Sequence, residues 1–288
     1  MHDTRVAAPL TGPLLAGKKG LIMGVANERS LTWGIAQVAA AQGAELAFTY
    51  QGDALFKRVK PLAQSIGVSI LEPCDVTDEA SVDALFDSLR AKWGHLDFVV
   101  HGIAYSDKTE LDGHYVDTTR ANFLRTMDIS CYSFTSVAQR AVALMPQGGS
   151  LLTLTYIGAE RVMPHYNVMG IAKAALEASV HYLAVDLGGR NIRVNAVSAG
   201  PIKTLAASGI GDFRSILRWN ELNAPLKRNV TTLDVGHAAL FALSDLGAGM
   251  TGEIMHVDAG YHTVGMLSVD EARQIADLMS AYADSKGQ

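Results

Sequence analysis

The chain has no surplus of positive charge: 24 lysines and arginines against 29 aspartates and glutamates leave a formal net charge of −5 over 288 residues. A general binder of nucleic acid or of anionic membranes concentrates a positive field, so neither partner is expected. Cysteine is nearly absent. Cys74 and Cys131 cannot build a disulfide framework and read as small buried side chains in a reducing compartment. The longest uncharged run, residues 141–159, is broken by Pro146, Gln147, Gly148 and Gly149, which makes it a helix end, a turn and a strand and not a membrane span. The first residues lack the basic, apolar, small-residue order of a secretory leader, so a soluble cytoplasmic protein is expected. Metal ligands are equally sparse. His256, Asp258 and His262 match no closed ligand set, and no metal is expected.

What the chain does have is 49% hydrophobic residues, arranged as alternating strand-like and helix-like segments. That alternation predicts an α/β fold with a single Rossmann-type, doubly wound parallel sheet. Residues 19–25 form an apolar run that ends in a glycine-bearing turn, and an Ala-rich helix follows from Ser30, with Ser30 as its N-cap. Strand, glycine turn and helix N-terminus together suit a pyrophosphate. Gly24 and Gly34 stand where the dinucleotide fingerprint carries three glycines, so an ordinary strand-to-helix turn remains a second reading.

Strands are also expected at 45–50, near 69–71, at 97–101, 150–156, 193–198 and 253–257, with helices at 79–93, within 118–145 and at 232–243. Gln51 follows the second strand, at the position where an acid would hold ribose hydroxyls and an arginine a ribose phosphate. A neutral Gln51 suits ribose hydroxyls and favours NADH, while Lys57 and Arg58 keep NADPH in view as the lesser choice. Asp75 and Val76 can bracket an adenine ring, and Asp75 equally suits a turn. The small residues 102–104 can pass beneath a nicotinamide.

Residues 153–173 carry the chemistry-bearing side chains. Tyr156 ends a strand, Tyr166 opens a helix, and Lys173 follows seven residues later on the same helix face, about 10.5 Å along the axis. That face offers a hydroxyl at one end and a cation at the other. An aromatic strand residue, a helix-start residue and a solvated lysine account for the same three positions without any chemistry. Residues 203–228 interrupt the alternation as a helical insertion. Five cations (Lys203, Arg214, Arg218, Lys227, Arg228) against Asp212 and Glu221 leave +3 there, which suits either an acidic carrier or a solvated face. Residues 1–16 read as a flexible extension, 17–266 as the catalytic domain, and 267–288 as a C-terminal helix and tail.

GVANERSLTWGIA from Gly24, AFTYQ at 47–51, CDV at 74–76, LTYIGAERVMPHYNVMGIAKAALEA at 154–178 and RVNAVSAGPIKTLAASGI at 193–210 resemble the short-chain dehydrogenase/reductase superfamily. Within it they are most similar to bacterial NADH-dependent enoyl-[acyl-carrier-protein] reductases. The common superfamily pattern places lysine four residues after tyrosine. Here position 170 is glycine and the spacing is Tyr-x6-Lys. The resemblance implies phosphate contacts at Gly24, Ser30 and Leu31, a ribose contact at Gln51 and adenine contacts at Asp75 and Val76. It further implies a nicotinamide enclosure from Ile103 and from Ile202, Lys203, Thr204, Leu205 and Ala206, with Lys173 on the nicotinamide ribose. Ser106 and Tyr156 fall where acyl substrate binds, and 205–210 begins a mobile substrate loop.

The implied reaction moves hydride from NADH to the β-carbon of a trans-2-enoyl thioester on acyl carrier protein. Tyr166 would hold the enolate oxygen and Lys173 would make that phenol more acidic, in a homotetramer. The proton added to the α-carbon comes from solvent or from Tyr166, and the residues leave both open. The family commonly shows Ser-Ile-Gly after the fourth strand, whereas this chain has Gly102-Ile103-Ala104, whose extra methyl at Ala104 stands near the substrate. A carbonyl or alcohol oxidoreductase of the same fold, or a non-catalytic dinucleotide sensor, are the alternative functions.

Overall fold

The computed structural model describes residues 12–204, 213–266, 272–273 and 275–277. Seven strands form one parallel sheet in the order β3-β2-β1-β4-β5-β6-β7. They are β1 (Lys19–Met23), β2 (Glu45–Tyr50), β3 (Ile70–Pro73), β4 (Phe98–His101), β5 (Gly149–Thr155), β6 (Ile192–Ala199) and β7 (Ile254–Val257). Chain order reverses between β1 and β4, which leaves a crevice at the carboxyl ends of the strands.

Both faces of the sheet are buried, so the strands read as near-continuous apolar runs whose alternate residues serve opposite layers. Leu21, Val99, Leu151 and Val194 face one core, together with α3 (Glu79–Trp93), α5 (Ser133–Ala141) and α6 (Asn167–Gly188). Ile22, Val100, Leu152 and Val197 face the other, covered by α1 (Leu31–Ala41), α2 (Gly52–Ser65) and α8 (Thr232–Leu243). In that second layer α1 and α8 touch backbone to backbone: a Cβ on Gly34 would stand 2.2 Å from the carbonyl oxygen of Thr232.

Two stretches differ from the sequence expectation, and a third, expected as helical, is resolved into its parts. Residues 52–65, for which no helix is expected, form α2, whose stripe of Val59, Leu62 and Ala63 faces the second core although Pro61 sits inside the helix. The expected helical stretch 118–145 is α4 (Arg120–Met127), a π turn at Asp128–Tyr132, α5 and a last 3-10 turn. The boundary expected at residue 16 falls inside the packed body. Leu15 is fully buried in the second core and its N–H donates to the Gln42 carbonyl, so this turn belongs to the body of the domain. Residues 1–11 and most of 267–288 lie outside the described residues.

In the insertion, α7 (Phe213–Asn223) adds a helix and no strand. Among the described helices α6 alone has the length and mean hydropathy, 1.2, to span a membrane. It carries the buried Lys173 and packs Leu176 and Val180 into the first core, as a core helix does. Cys74 and Cys131 are free and buried.

Candidate active site

The strand ends open into a cavity of about 1390 Å³ running from the end of β3, past the β1–α1 turn, to the start of α6. Gly24 leaves β1 with φ +99°, and a Cβ there would stand 2.1 Å from the Gly102 carbonyl oxygen. Only glycine tolerates both the dihedral and the approach. Ser30 precedes α1 but does not cap it, a correction to its expected role. The chain folds back between them, and Ser30 Oγ accepts from the N–H groups of Ala26 at 3.0 Å and Asn27 at 3.1 Å. Its own O–H remains a donor. Thr32, in the first turn, lines the same cavity; it is 1% exposed and its Oγ1 has no hydrogen-bond partner among the described residues. A buried hydroxyl of this kind calls for a partner. With the free N–H groups of the helix start, it fits a phosphate-bearing ligand beside Leu31.

At the far end, Gln51 Nε2 donates to Asp75 Oδ2 at 2.9 Å. Asp75 Oδ1 accepts from the Thr77 N–H and hydroxyl at 2.9 and 2.7 Å, and these bonds, with the one from Gln51, hold its carboxyl below the usual range. The carboxylate therefore fixes Gln51 through its amide N–H. Val76 packs partly buried beside Asp75, as does Ile103 beyond β4.

The third part lies where β5 meets α6. Tyr166 is the residue before α6, 8% exposed, in a small apolar cluster with Leu111, Val168 and Met169. The Tyr156 and Tyr166 rings meet edge to face, with centroids 5.1 Å apart and planes at 74°. Burial is the main cause that pushes both phenols well above their ordinary value. The expected acidification of Tyr166 by Lys173 is thus overturned: the phenol is held protonated, a neutral O–H donor. Lys173 Nζ donates to the Leu154 carbonyl at 2.7 Å, and burial lowers its ammonium to about 8. The same burial, with Lys173 nearby, takes His101 down to about 3, so His101 stays neutral between Thr153 and Ser133.

The cavity brings together Gly24, Ser30, Leu31, Gln51, Asp75, Val76, Ile103, Ser106, Tyr156, Tyr166, Lys173, Ile202 and Thr204. Lys203 is exposed and stands off its lining. Leu205, Ala206 and the rest of the expected loop 205–210 lie outside the described residues. Ser106 departs from a free substrate contact. Its hydroxyl accepts from Thr126 Oγ1 at 2.9 Å and Asn122 Nδ2 at 3.2 Å, which ties it into the wall. Ala104 is exposed on the lining.

Sequence reasoning missed Thr32, two residues past Ser30, and Glu177. The latter lies one helical turn beyond Lys173, where its carboxylate accepts from Thr155 Oγ1 at 2.6 Å and burial pushes its pKa up. The apolar wall from Met163, Phe213 and Ile216 was also missed, since nothing in its spacing marks a site.

A parallel sheet with its crevice at the β1/β4 reversal, a glycine turn under a helix start and a Tyr/Lys pair on one helix define a nucleotide-dependent oxidoreductase of the short-chain dehydrogenase/reductase type. The enoyl-(acyl carrier protein) reductase family model matches residues 24–262. The chain belongs to this family. It is 69% identical over 257 residues to the enoyl-[acyl-carrier-protein] reductase [NADH] 1 of Rhizobium meliloti (strain 1021), covering 89% of this chain and 94% of that protein. Among solved structures it is similar to the Anaplasma phagocytophilum enoyl-(acyl-carrier-protein) reductase in complex with NAD, with TM-score 0.87, 64% identity, and 90% and 99% of the two chains covered. It is likewise similar to the Bacillus cereus enoyl-acyl carrier protein reductase with NADP+ and an indole naphthyridinone, with TM-score 0.87, 51% identity, and 88% and 99% covered.

Proposed function

We propose that this chain reduces the carbon–carbon double bond of a trans-2-enoyl thioester on acyl carrier protein with NADH, the reductive step that closes a fatty-acid elongation round. The observation that carries this reading is Tyr166, the residue before α6, and Lys173, in its second turn, lining one cavity, with Gly170 between them packed on Gly158. NADH, when bound, supplies a hydride to the substrate β-carbon. The donors at Ser30, Thr32 and the start of α1 suit its pyrophosphate, and Gln51, steadied by Asp75, suits the adenosine ribose. Lys173 has two N–H donors besides the one on Leu154, suited to the nicotinamide ribose hydroxyls.

Negative charge develops on the thioester oxygen as an enolate, and a protonated Tyr166 donates to it. One such donor, in a site closed to water, contributes roughly 2.7–4 kcal/mol to the transition state. Tyr156, edge-on to Tyr166, forms the wall beside the acyl chain. Tyr182 and Val185 on α6 and Tyr132 in the π turn are exposed apolar residues, which supports subunit contacts and the proposed homotetramer, in the cytoplasm.

The test is NADH oxidation with crotonyl thioester. Tyr166→Phe should lower turnover about 10² to 10³-fold and Tyr156→Phe much less, with NADH affinity unchanged in both. The reverse order would sink the assignment. Turnover of a ketoacyl thioester in place of the enoyl substrate would move the chain to the carbonyl reductases.

A further inference from the structure

The residue after Tyr166 is bound in an unusual way. Asn167 has φ +37° and His165, on the other side, φ +57°, so the tyrosine sits between two non-glycine residues in the left-handed region. Such backbone persists only where surrounding contacts hold it. The Asn167 side chain provides them: its Nδ2 lies 3.3 Å from each of three carbonyl oxygens, those of Glu110, Leu111 and Gly113. All three partners accept, so the amide must present its NH2 group to them, two hydrogens shared among three oxygens.

The segment gripped in this way is not passive. Leu111 is buried and packs in the same apolar cluster as Tyr166, so the loop is one wall of the tyrosine's pocket. The loop is also tied from its far side, since the Glu110 carboxylate accepts from the N–H and hydroxyl of Thr119, the N-cap of α4. His165 Nδ1 stands 3.4 Å from Asp112 Oδ1 without a hydrogen bond between them, so the hold on the segment rests on Asn167 and Thr119. The segment 110–113 is therefore fixed to α4 at one side and to the start of α6 at the other.

We infer that Asn167 is a positioning residue for the reduction. It clamps residues 110–113 against Tyr166 and so fixes the direction of the phenolic O–H and the adjoining wall of the acyl pocket. The inference rests on the proposed role of Tyr166, and it assigns the amide a task that its own backbone geometry does not require. An error of about 1 Å in aiming a catalytic group lowers rates about a hundredfold. The left-handed dihedral alone could be met by glycine.

Asn167→Gly separates the two. It keeps the positive φ without strain and removes the amide, so it should fold. Expected are a fall in kcat of about tenfold or more, an NADH dissociation constant within about twofold of the parent, and faster amide hydrogen exchange across residues 110–117. Asn167→Asp keeps the size but replaces donors by a carboxylate facing three carbonyls, and it should be at least as impaired. Full kcat in the glycine variant would overturn the inference, because glycine would then supply all that Asn167 supplies. Unchanged exchange in the loop overturns it as well. The role of Tyr166 is read separately on Tyr166→Phe, whose behaviour no Asn167 variant can mimic in the exchange measurement.

Discussion

Replacing Lys173 by methionine separates what this lysine does to the fold from what it does for the reaction. Lys173 is 7% exposed, and burial lowers its ammonium from 10.5 to about 8. The unfolded chain keeps the proton up to 10.5, so between about 8 and 10.5 it binds more protons than the folded chain and stability rises with pH. Below about 8 the whole penalty stands, and the gap from 10.5 at about 1.4 kcal/mol per pH unit makes it about 3 kcal/mol. Against this, the variant loses the bond from Nζ to the Leu154 carbonyl, a loss of about 1 kcal/mol. Methionine is unbranched and fills the same channel.

The variant should therefore be more stable than the parent by about 2 kcal/mol at pH 7 in the absence of nucleotide. That advantage should vanish, or turn into a small deficit, at about pH 10.5. The assay is urea unfolding at fixed protein concentration at the two pH values, and reduction of crotonyl thioester should be lost in the same variant. A stability difference that does not change with pH would refute the reasoning, because the buried charge would then not be its source. So would a variant less stable than the parent at pH 7.

Two further perturbations address the cofactor end. Gly24→Ala puts a Cβ 2.1 Å from the Gly102 carbonyl at φ +99°, so the β1–α1 turn must move. NADH affinity measured by nucleotide fluorescence should fall about tenfold or more, and an affinity within twofold would mean the close approach has no part in binding. Asp75→Ala frees Gln51 and Thr77, and the KM for NADH should rise several-fold with kcat unchanged in steady-state assays. A fall in kcat alone would point to a role away from the adenosine end.

Periodicity made much of the fold legible because both sheet faces are buried: runs such as Leu21, Ile22 and Met23 have no other stable setting than a central strand. α2 escaped although Val59, Leu62, Ala63 and Ile66 recur at helical spacing, because its interior Pro61 argues against a helix on local grounds. The same logic governs the site. Gly24, Gln51, Tyr166 and Lys173 sit at fixed offsets from strand ends, so the sequence already orders them along the crevice. The use of each polar atom is a tertiary matter. Ser30 spends its lone pairs on the turn behind it, Ser106 is bonded to Asn122 and Thr126, and Asn167 reaches a loop more than fifty residues away. No spacing rule shows those partners.

The spacing of tyrosine and lysine, by contrast, has a packing cause that the structure makes visible. A Cβ on Gly170 would meet the Gly158 carbonyl oxygen at 2.9 Å and the Tyr166 ring at 3.5 Å. On Gly158 itself a Cβ would stand 2.4 Å from that ring. The turn after β5 is thus pressed against the first turn of α6, and the tyrosine ring lies over it. A lysine at 170, one turn after the tyrosine, would have to pass through this contact, so the cation comes from the next turn, at 173. There its side chain runs back to the end of β5 and finds the Leu154 carbonyl. The contact that excludes lysine from 170 also holds the Tyr166 ring beside Tyr156, and the same glycines thereby set both the place of the cation and the orientation of the donor.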